Sequence, residues 1–174
     1  MDSPFWNFSL AVYGANAVEN ECLGLQDQFG IDVNLVLLCA YLGAVHGAAL
    51  TAGDIASARA EAGLWHEQIV RPLRAARRSL KAIALRTDDE TKAAAQLRIQ
   101  VKAIELESER IEQMTLGRWT KARLTSWPRG DSREAVVSNL QVLLAGYGGG
   151  AERLAAAEAA KHLIAAALDQ VVIK

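Results

Sequence analysis

Apolar side chains recur at intervals of three and four residues through most of this chain, and that rhythm restricts it to helices that share buried faces. Between about Ala17 and Phe29, the residues Val18, Cys22, Leu25 and Phe29 are spaced four, three and four. Ile69, Leu73, Ala76, Leu80 and Ile83 repeat the pattern over about 68–85. Ala94, Leu97, Val101, Ile104 and Ile111 continue it over about 88–116, with Ser108 filling one inward position. Ala, Leu, Arg and Glu are abundant and β-branched runs are short, so propensity agrees with periodicity. No Gly-bounded β-branched segments alternate with these stripes, which argues against an α/β fold.

Punctuation sets the helix boundaries. Ser3-Pro4 supplies a hydroxyl cap and a residue preset for the first turn. Gly30 offers a left-handed stop after Phe29, and Asp32 caps the most apolar helix, Val33 to about Leu50. Within it Gly43 and Gly47 lie four apart, which predicts close approach by another helix. Asp54 is read as the cap of a short helix to about Glu67. Pro72 falls in the first turns of the next helix, where proline is tolerated, and Asp88 is read as the cap of the long one. Gly117 to Gly130 reads as an irregular connector, followed by a helix from Ser132 to about Ala145. A Gly148-Gly149-Gly150 joint then leads to an alanine-rich helix from Glu152 to about Val172, with Leu154, Ala157, Ile164, Leu168 and Val171 on one side. The expected fold is an all-α, single-domain bundle of about six to eight helices. A long antiparallel hairpin (about 68–85 and 88–116) is its main feature, and 131–174 is either integral or an appended C-terminal helical segment.

Composition narrows the classes further. With 174 residues, 51% apolar and 22% charged, one cored domain is expected and disorder is not. A net charge of −1 and a pI near 6.3 provide no overall field for nucleic acid or a membrane surface. The apolar run Leu35–Leu50 falls short of the roughly 20 residues that cross a bilayer. Met1-Asp2-Ser3-Pro4 carries no positive charge ahead of an apolar stretch, so no signal peptide is expected. Cys22 and Cys39 lack CxxC spacing and read as buried thiols in a reducing cytoplasm.

Charge is the most informative polar feature. Between Gln68 and Thr87 there are six cations and no acid, and Arg71, Arg74, Arg78 and Lys81 form one ridge at helical spacing. Glu105, Glu109 and Glu112 form the opposite ridge on the next helix. A tight turn at Thr87-Asp88-Asp89 would place Arg71 opposite residues near 105 and Arg78 opposite residues near 98. Two readings follow: the ridges neutralise each other along the seam, or the arginine ridge faces outward to hold a phosphate-bearing ligand or an acidic partner helix. A second basic stretch, Arg118 to Arg133, interleaves Trp119 and Trp127. Such mixtures can stack on single-stranded nucleic acid, but anchoring a connector onto the bundle explains them better.

His46, His66 and His162 show no HExxH or ExxH spacing, so no metal site and no cofactor are expected. His46 reads as a core histidine. His66-Glu67 are neighbours that do not share a helix face. Asn34, which opens the apolar helix, reads as satisfying a helix end.

The stretch Phe5-Trp6-Asn7-Phe8-Ser9-Leu10, the segment Cys22-Leu23 with Leu25-Gln26-Asp27, and Gly30 to Leu35 with Cys39 carry a family likeness. So do Pro72-Leu73-Arg74 with Arg77-Arg78 and Lys81, and Glu105-Leu106 with Glu109-Arg110. Over residues 4–116 the chain resembles an uncharacterised proteobacterial family known only as a domain of unknown function. The resemblance implies a bacterial, cytoplasmic protein and brings no activity with it.

Two functions remain. One is a non-enzymatic helical interaction or adaptor protein whose ridge Arg71, Arg74, Arg78 and Lys81 holds an acidic or anionic partner. The other is a small-molecule binder or enzyme with a pocket between helices, lined by the aromatics Trp6, Tyr41 and Trp65. Self-association through the alanine-rich C-terminal helix is a further expectation.

Overall fold

The computed structural model describes residues 3–172; Met1 and Asp2 lie outside the described residues. The α-helical segments are α1 (Pro4–Tyr13), α2 (Val18–Phe29), α3 (Val33–His46), α4 (Ala52–Trp65), α5 (Arg71–Ala82), α6 (Asp88–Arg123), α7 (Ser132–Ala145), α8 (Ala156–Ala159) and α9 (Lys161–Val172). No strand occurs among the described residues, apart from one isolated bridge between Ala48 and Arg129. The chain is all-α, as its periodicity requires.

Helix α3 is the axis. It is apolar on every side, and Leu35, Leu38, Cys39 and Leu42 are sealed from solvent, as expected of a central helix. Its largest partner is α7. At Gly43 the two backbones touch so closely that an added Cβ would lie 2.5 Å from the Val136 amide nitrogen. That is the close approach the glycine pair predicts. Gly47 instead adopts φ +60° and caps α3, donating to the Gly43 carbonyl at 2.9 Å. Helix α3 therefore ends at His46, four residues before the expected Leu50. The extended residues beyond it are held by the buried Asn139 amide, which accepts from the Leu50 N–H at 2.8 Å and donates to the Ala48 carbonyl at 2.9 Å.

Caps fall one to three residues earlier than the acids suggested. Thr51 and Thr87, not Asp54 and Asp88, cap α4 and α6. In each case the threonine hydroxyl accepts from the third residue of the helix, and Asp54 or Glu90 reaches back to the cap.

The two helices expected over 54–67 and 68–85 are one rod. A π-helical turn, His66–Val70, joins α4 to α5, and Arg71 donates its N–H to the His66 carbonyl five residues back. Pro72 thus sits inside the rod rather than in a first turn. It has no N–H to give, and its ring crowds the carbonyl four residues earlier; the wider turn absorbs both effects.

The hairpin of α5 and α6 corrects the expected stripes. Ile69, Ala76 and Ile83 are exposed, as are Leu97, Ile104 and Ile111, with Leu97 at 48% and Ile104 at 56%; Leu73, Leu80, Ala94 and Val101 are only half-buried. The inward side of α6 is instead Glu105, Ser108, Glu112, Gln113 and Leu116. Of the expected inner positions on α6, Ser108 alone is buried. Nor does α6 stop at Leu116: it runs through Gly117 to Arg123, because Trp119 is buried and its indole N–H donates to Ser57 Oγ at 3.1 Å. Trp119 and Trp127 pack with ring centroids 5.4 Å apart. Their burial anchors the connector and offers no face to a nucleic acid base.

Beyond the Gly148-Gly150 joint the expected single helix is broken into a 3-10 turn at Ala151–Arg153, then α8 and α9. Its buried side is Ala156, Ala160, Leu163, Ile164 and Ala167, while Ala157 and Val171 face solvent. Helix α9 packs on α1, α2 and α3. Both cysteines are free and buried, and burial pushes the Cys22 thiol up to about 12. Among the described residues no helix is long and apolar enough to cross a membrane.

Candidate functional site

The arginine ridge is divided among four carboxylates. Arg74, only 9% exposed, donates to Glu105 at 3.3 Å and to Glu109 at 2.7 Å. Arg77, one of the two cations outside the expected ridge, also binds Glu105. Arg78 reaches Asp27 on α2, and Arg71 pairs with Glu67 one turn back at 2.6 Å in an exposed contact. The expected register put Arg71 opposite residue 105, and the observed one puts Arg74 and Arg77 there. The cause is the connection: α5 ends at Ala82 and five residues precede α6, so the turn is not a tight one. Glu112 is not part of this seam. Burial lifts the pKa of Glu109 above its ordinary value, and the Arg74 charge only partly offsets it.

A cleft of about 700 Å³ opens between α1, α2 and the hairpin. Trp6, Leu10 and Tyr13 form its apolar wall; Lys81, Arg98 and Lys102 line the opposite side, and Asn34 and Gln113 also line it. Arg74 and Arg77 also line it, but their charge is met by Glu105 and Glu109. Lys81, Arg98 and Lys102 have no ion-pair partner among the described residues. Three buried polar atoms belonging to this lining have no hydrogen-bond partner: Ser9 Oγ, Arg98 Nε and Gln113 Oε1. Leaving such atoms unpaired costs about 1–3 kcal/mol each, so the polar part of the lining is not satisfied by the chain's own groups. Of the expected pocket aromatics, Trp6 lines this cleft. Tyr41 instead packs against the rings of Phe5, Phe8 and His46, tilted on the first and edge-on to the other two, with centroids 5.2 Å apart in each case. Trp65 donates its indole N–H to the Ser108 carbonyl at 2.9 Å, tying α4 to α6.

Behind the cleft lies a polar cluster that no local spacing announces. His66 Nδ1 is 3.3 Å from Asp32 Oδ2 and 3.2 Å from Glu112 Oε1, and all three residues are buried, Glu112 completely. Each arrives from a different element. Asp32 is the cap of α3, where its Oδ1 accepts from the Asn34 N–H at 2.8 Å. His66 opens the π turn, and Glu112 projects from the middle of α6. The Asn34 amide donates to Glu112 Oε2 at 2.8 Å and accepts from Gln113 at 2.9 Å. It spans two helices rather than finishing one. The chain runs unbroken from the cleft surface to the cluster: Gln113, Asn34, Glu112, His66.

The cluster's protons follow from its burial. Loss of water, and then the Glu112 charge beside it, push the Asp32 carboxyl up to about 8. Glu112 is moved the same way by burial, but the bonds from His66 and Asp32 win and hold it below the usual carboxylate range. Burial pulls His66 down, and the Glu112 bond and the Asp32 charge more than restore it, leaving it raised. Of the carboxyl pair, Asp32 is thus the member that burial and the Glu112 charge push towards the protonated form, and Glu112 the one whose charge the bonds from His66 and Asp32 favour.

Sequence reasoning found Asp32 as a cap and Glu112 as part of an acidic ridge, and it discounted His66 because its neighbour shares no face with it. The true partners are 34 and 46 positions away. A proline six residues after a histidine in a helical segment is the one local hint, since it demands a rearranged turn near His66.

Fold and site together define an all-α protein with a charged inter-helical cleft backed by a buried histidine–carboxylate cluster. Residues 4–116 match the family described as protein of unknown function (DUF2390), and the chain belongs to it. No curated protein and no solved structure shows a significant match. The matched region contains the cleft and the cluster, whereas α7, the main partner of α3, lies outside it.

Proposed function

We propose that this protein binds a small organic anion, bearing a phosphate or carboxylate on an apolar or aromatic body, in the cleft between α1 and the hairpin. The observation that carries the reading is the cleft lining, where Lys81, Arg98 and Lys102 have no ion-pair partner among the described residues and share the cavity with the rings of Trp6 and Tyr13. The volume suits a metabolite-sized ligand, Trp6 and Tyr13 supply its apolar contact, and an arginine suits a carboxylate or phosphate oxygen. An adaptor that lays an acidic helix along Arg71, Arg74, Arg78 and Lys81 has less support, because three of those four side chains already hold a carboxylate. A cytoplasmic setting goes with two buried free thiols, which a reducing compartment preserves.

A thermal-shift panel of phosphorylated and carboxylated metabolites, followed by titration of Trp fluorescence, tests the reading. A ligand present at about a hundredfold its Kd adds about 2.7 kcal/mol, or roughly 5–10 °C in Tm for a domain of this size. Arg98→Gln with Lys102→Gln should abolish that shift while leaving the unliganded Tm near its starting value. If no member of the panel moves Tm, and the protein purified from its native host carries no bound anion in native mass spectrometry, the reading fails.

A further inference from the structure

We infer that Asp32, His66 and Glu112 bind one divalent transition-metal ion, of the Zn2+ or Mn2+ type, directly behind the cleft. Ligand spacing is the first support. One donor atom from each residue lies within 4.8 Å of the other two, and the imidazole nitrogen is 3.2–3.3 Å from an oxygen of each carboxylate. Atoms bound to the same ion at about 2.1 Å sit roughly 3.0–3.5 Å apart in tetrahedral or octahedral sites. The side chains therefore need little movement to take up an ion, and one nitrogen with two carboxylate oxygens is a donor set such metals accept.

Charge is the second support. Without a metal, protons must balance the two buried carboxylates beside the single imidazole, and an ion that takes the place of those protons leaves no net charge away from water. Arg74, the guanidinium whose charge His66 senses, is already bound to Glu105 and Glu109. A dication with a neutral imidazole balances the two carboxylates completely.

The third support is the arrangement around the ligands. Asn34 holds one oxygen of each acid, Asp32 Oδ1 through its backbone N–H and Glu112 Oε2 through its amide, while Asp32 Oδ2 and both Glu112 oxygens lie 3.2–3.3 Å from His66 Nδ1. Tyr147 accepts from the Asp32 N–H at 3.2 Å, and Gln113 fixes Asn34 while its own Oε1 has no partner. Outer contacts that orient each ligand in this manner are what metal sites require. Asn34 and Gln113 belong both to the cleft lining and to the hydrogen bonds that reach the cluster.

The test is titration of the chelator-stripped full chain with ZnCl2 and MnCl2 separately by calorimetry, with CoCl2 as a spectroscopic reporter. Expected are one ion per chain, a visible Co2+ absorption band displaced by Zn2+, and a rise in Tm. His66→Gln and Glu112→Gln should each weaken binding at least 100-fold, and Asn34→Ala by about 10–100-fold. His162→Ala, which removes the surface His162–Glu21 pair, should leave it unchanged, as should Arg98→Gln in the cleft, so failure of the anion reading would not touch this one. Should His66→Gln or Glu112→Gln fail to fold by circular dichroism, Asp32→Asn serves in their place and the wild-type Co2+ spectrum still decides. A folded wild-type chain that takes up none of the three ions even at millimolar concentration, a proton filling the cluster instead, overturns the inference. So does binding that survives the ligand substitutions or disappears with His162→Ala.

Discussion

Helix pairs α3–α7 and α5–α6 both pack antiparallel rods, yet by opposite means. Between α3 and α7 the contact is apolar and backbone-close, with Gly43 against Val136 and a single buried amide, Asn139, closing the end. Between α5 and α6 the contact is ionic: Arg74 and Arg77 hold Glu105 and Glu109, while heptad-spaced Leu97, Ile104 and Ile111 face solvent. The first kind of contact is non-directional and gains from every methylene buried. The second gains little net free energy, since desolvation offsets attraction, but fixes which side chains meet. A bundle can thus place a rigid centre beside an arm whose inner face is polar enough to line a cleft.

Thiol reactivity should separate the two regions most sharply. Cys22 and Cys39 are buried, and the raised Cys22 pKa keeps it a neutral thiol at pH 8. Their reaction with a disulfide reagent should be at least about 10³-fold slower than in the urea-unfolded chain. A Leu97→Cys chain should gain one thiol that reacts as fast as when unfolded. Native labelling of Cys39 at an unfolded rate would erase the contrast.

Next in size is Gly43→Val. Its branched side chain has no room against the α7 backbone, and urea denaturation should show a loss of about 3–5 kcal/mol or no folded protein at all. Leu38→Ala in the same helix should cost about 2–4 kcal/mol through the cavity it leaves. In the hairpin, Arg74→Met should cost about 2–3 kcal/mol, chiefly by stranding Glu109 while Arg77 still holds Glu105, and Arg74→Met with Glu109→Leu should recover at least half of that, because both charges go together. No second substitution of that kind should rescue Leu38→Ala. The smallest effect is expected for Ile104→Gln, within about 0.5 kcal/mol. A loss near 2 kcal/mol there would mean that this face is covered in solution.

Much of the first region was legible in the sequence. The run from Val33 onward is apolar all round, which only a central helix satisfies, and Gly43 pointed to close packing. Ser3-Pro4, Asp32 and Ser132 marked helix starts within a residue of where they occur. The second region misled, because its period is correct while its phase is not. Ile69, Leu73 and Ile83 over 68–85, and Leu97 and Ile104 on α6, form apolar stripes at ideal spacing, yet Arg74 and Glu105 sit inside. A stripe reports that a helix has two faces, and which face turns inward depends on what the rest of the chain presents. The candidate site was hidden for the same reason: Asp32, His66 and Glu112 are remote in sequence, and their chemistry exists only once three elements converge.

Local order was therefore set by the amino acids themselves. Spacing, caps and glycines act over a few residues, so helix content, most helix starts and the identity of the central helix need no knowledge of the fold. Tertiary structure decided the rest: the fusion of α4 with α5 across Pro72, the rotation of the hairpin, the partners of each arginine, and the meeting of His66 with two acids. Those outcomes depend on desolvation and pairing summed over distant segments. No window of sequence contains both members of such a pair.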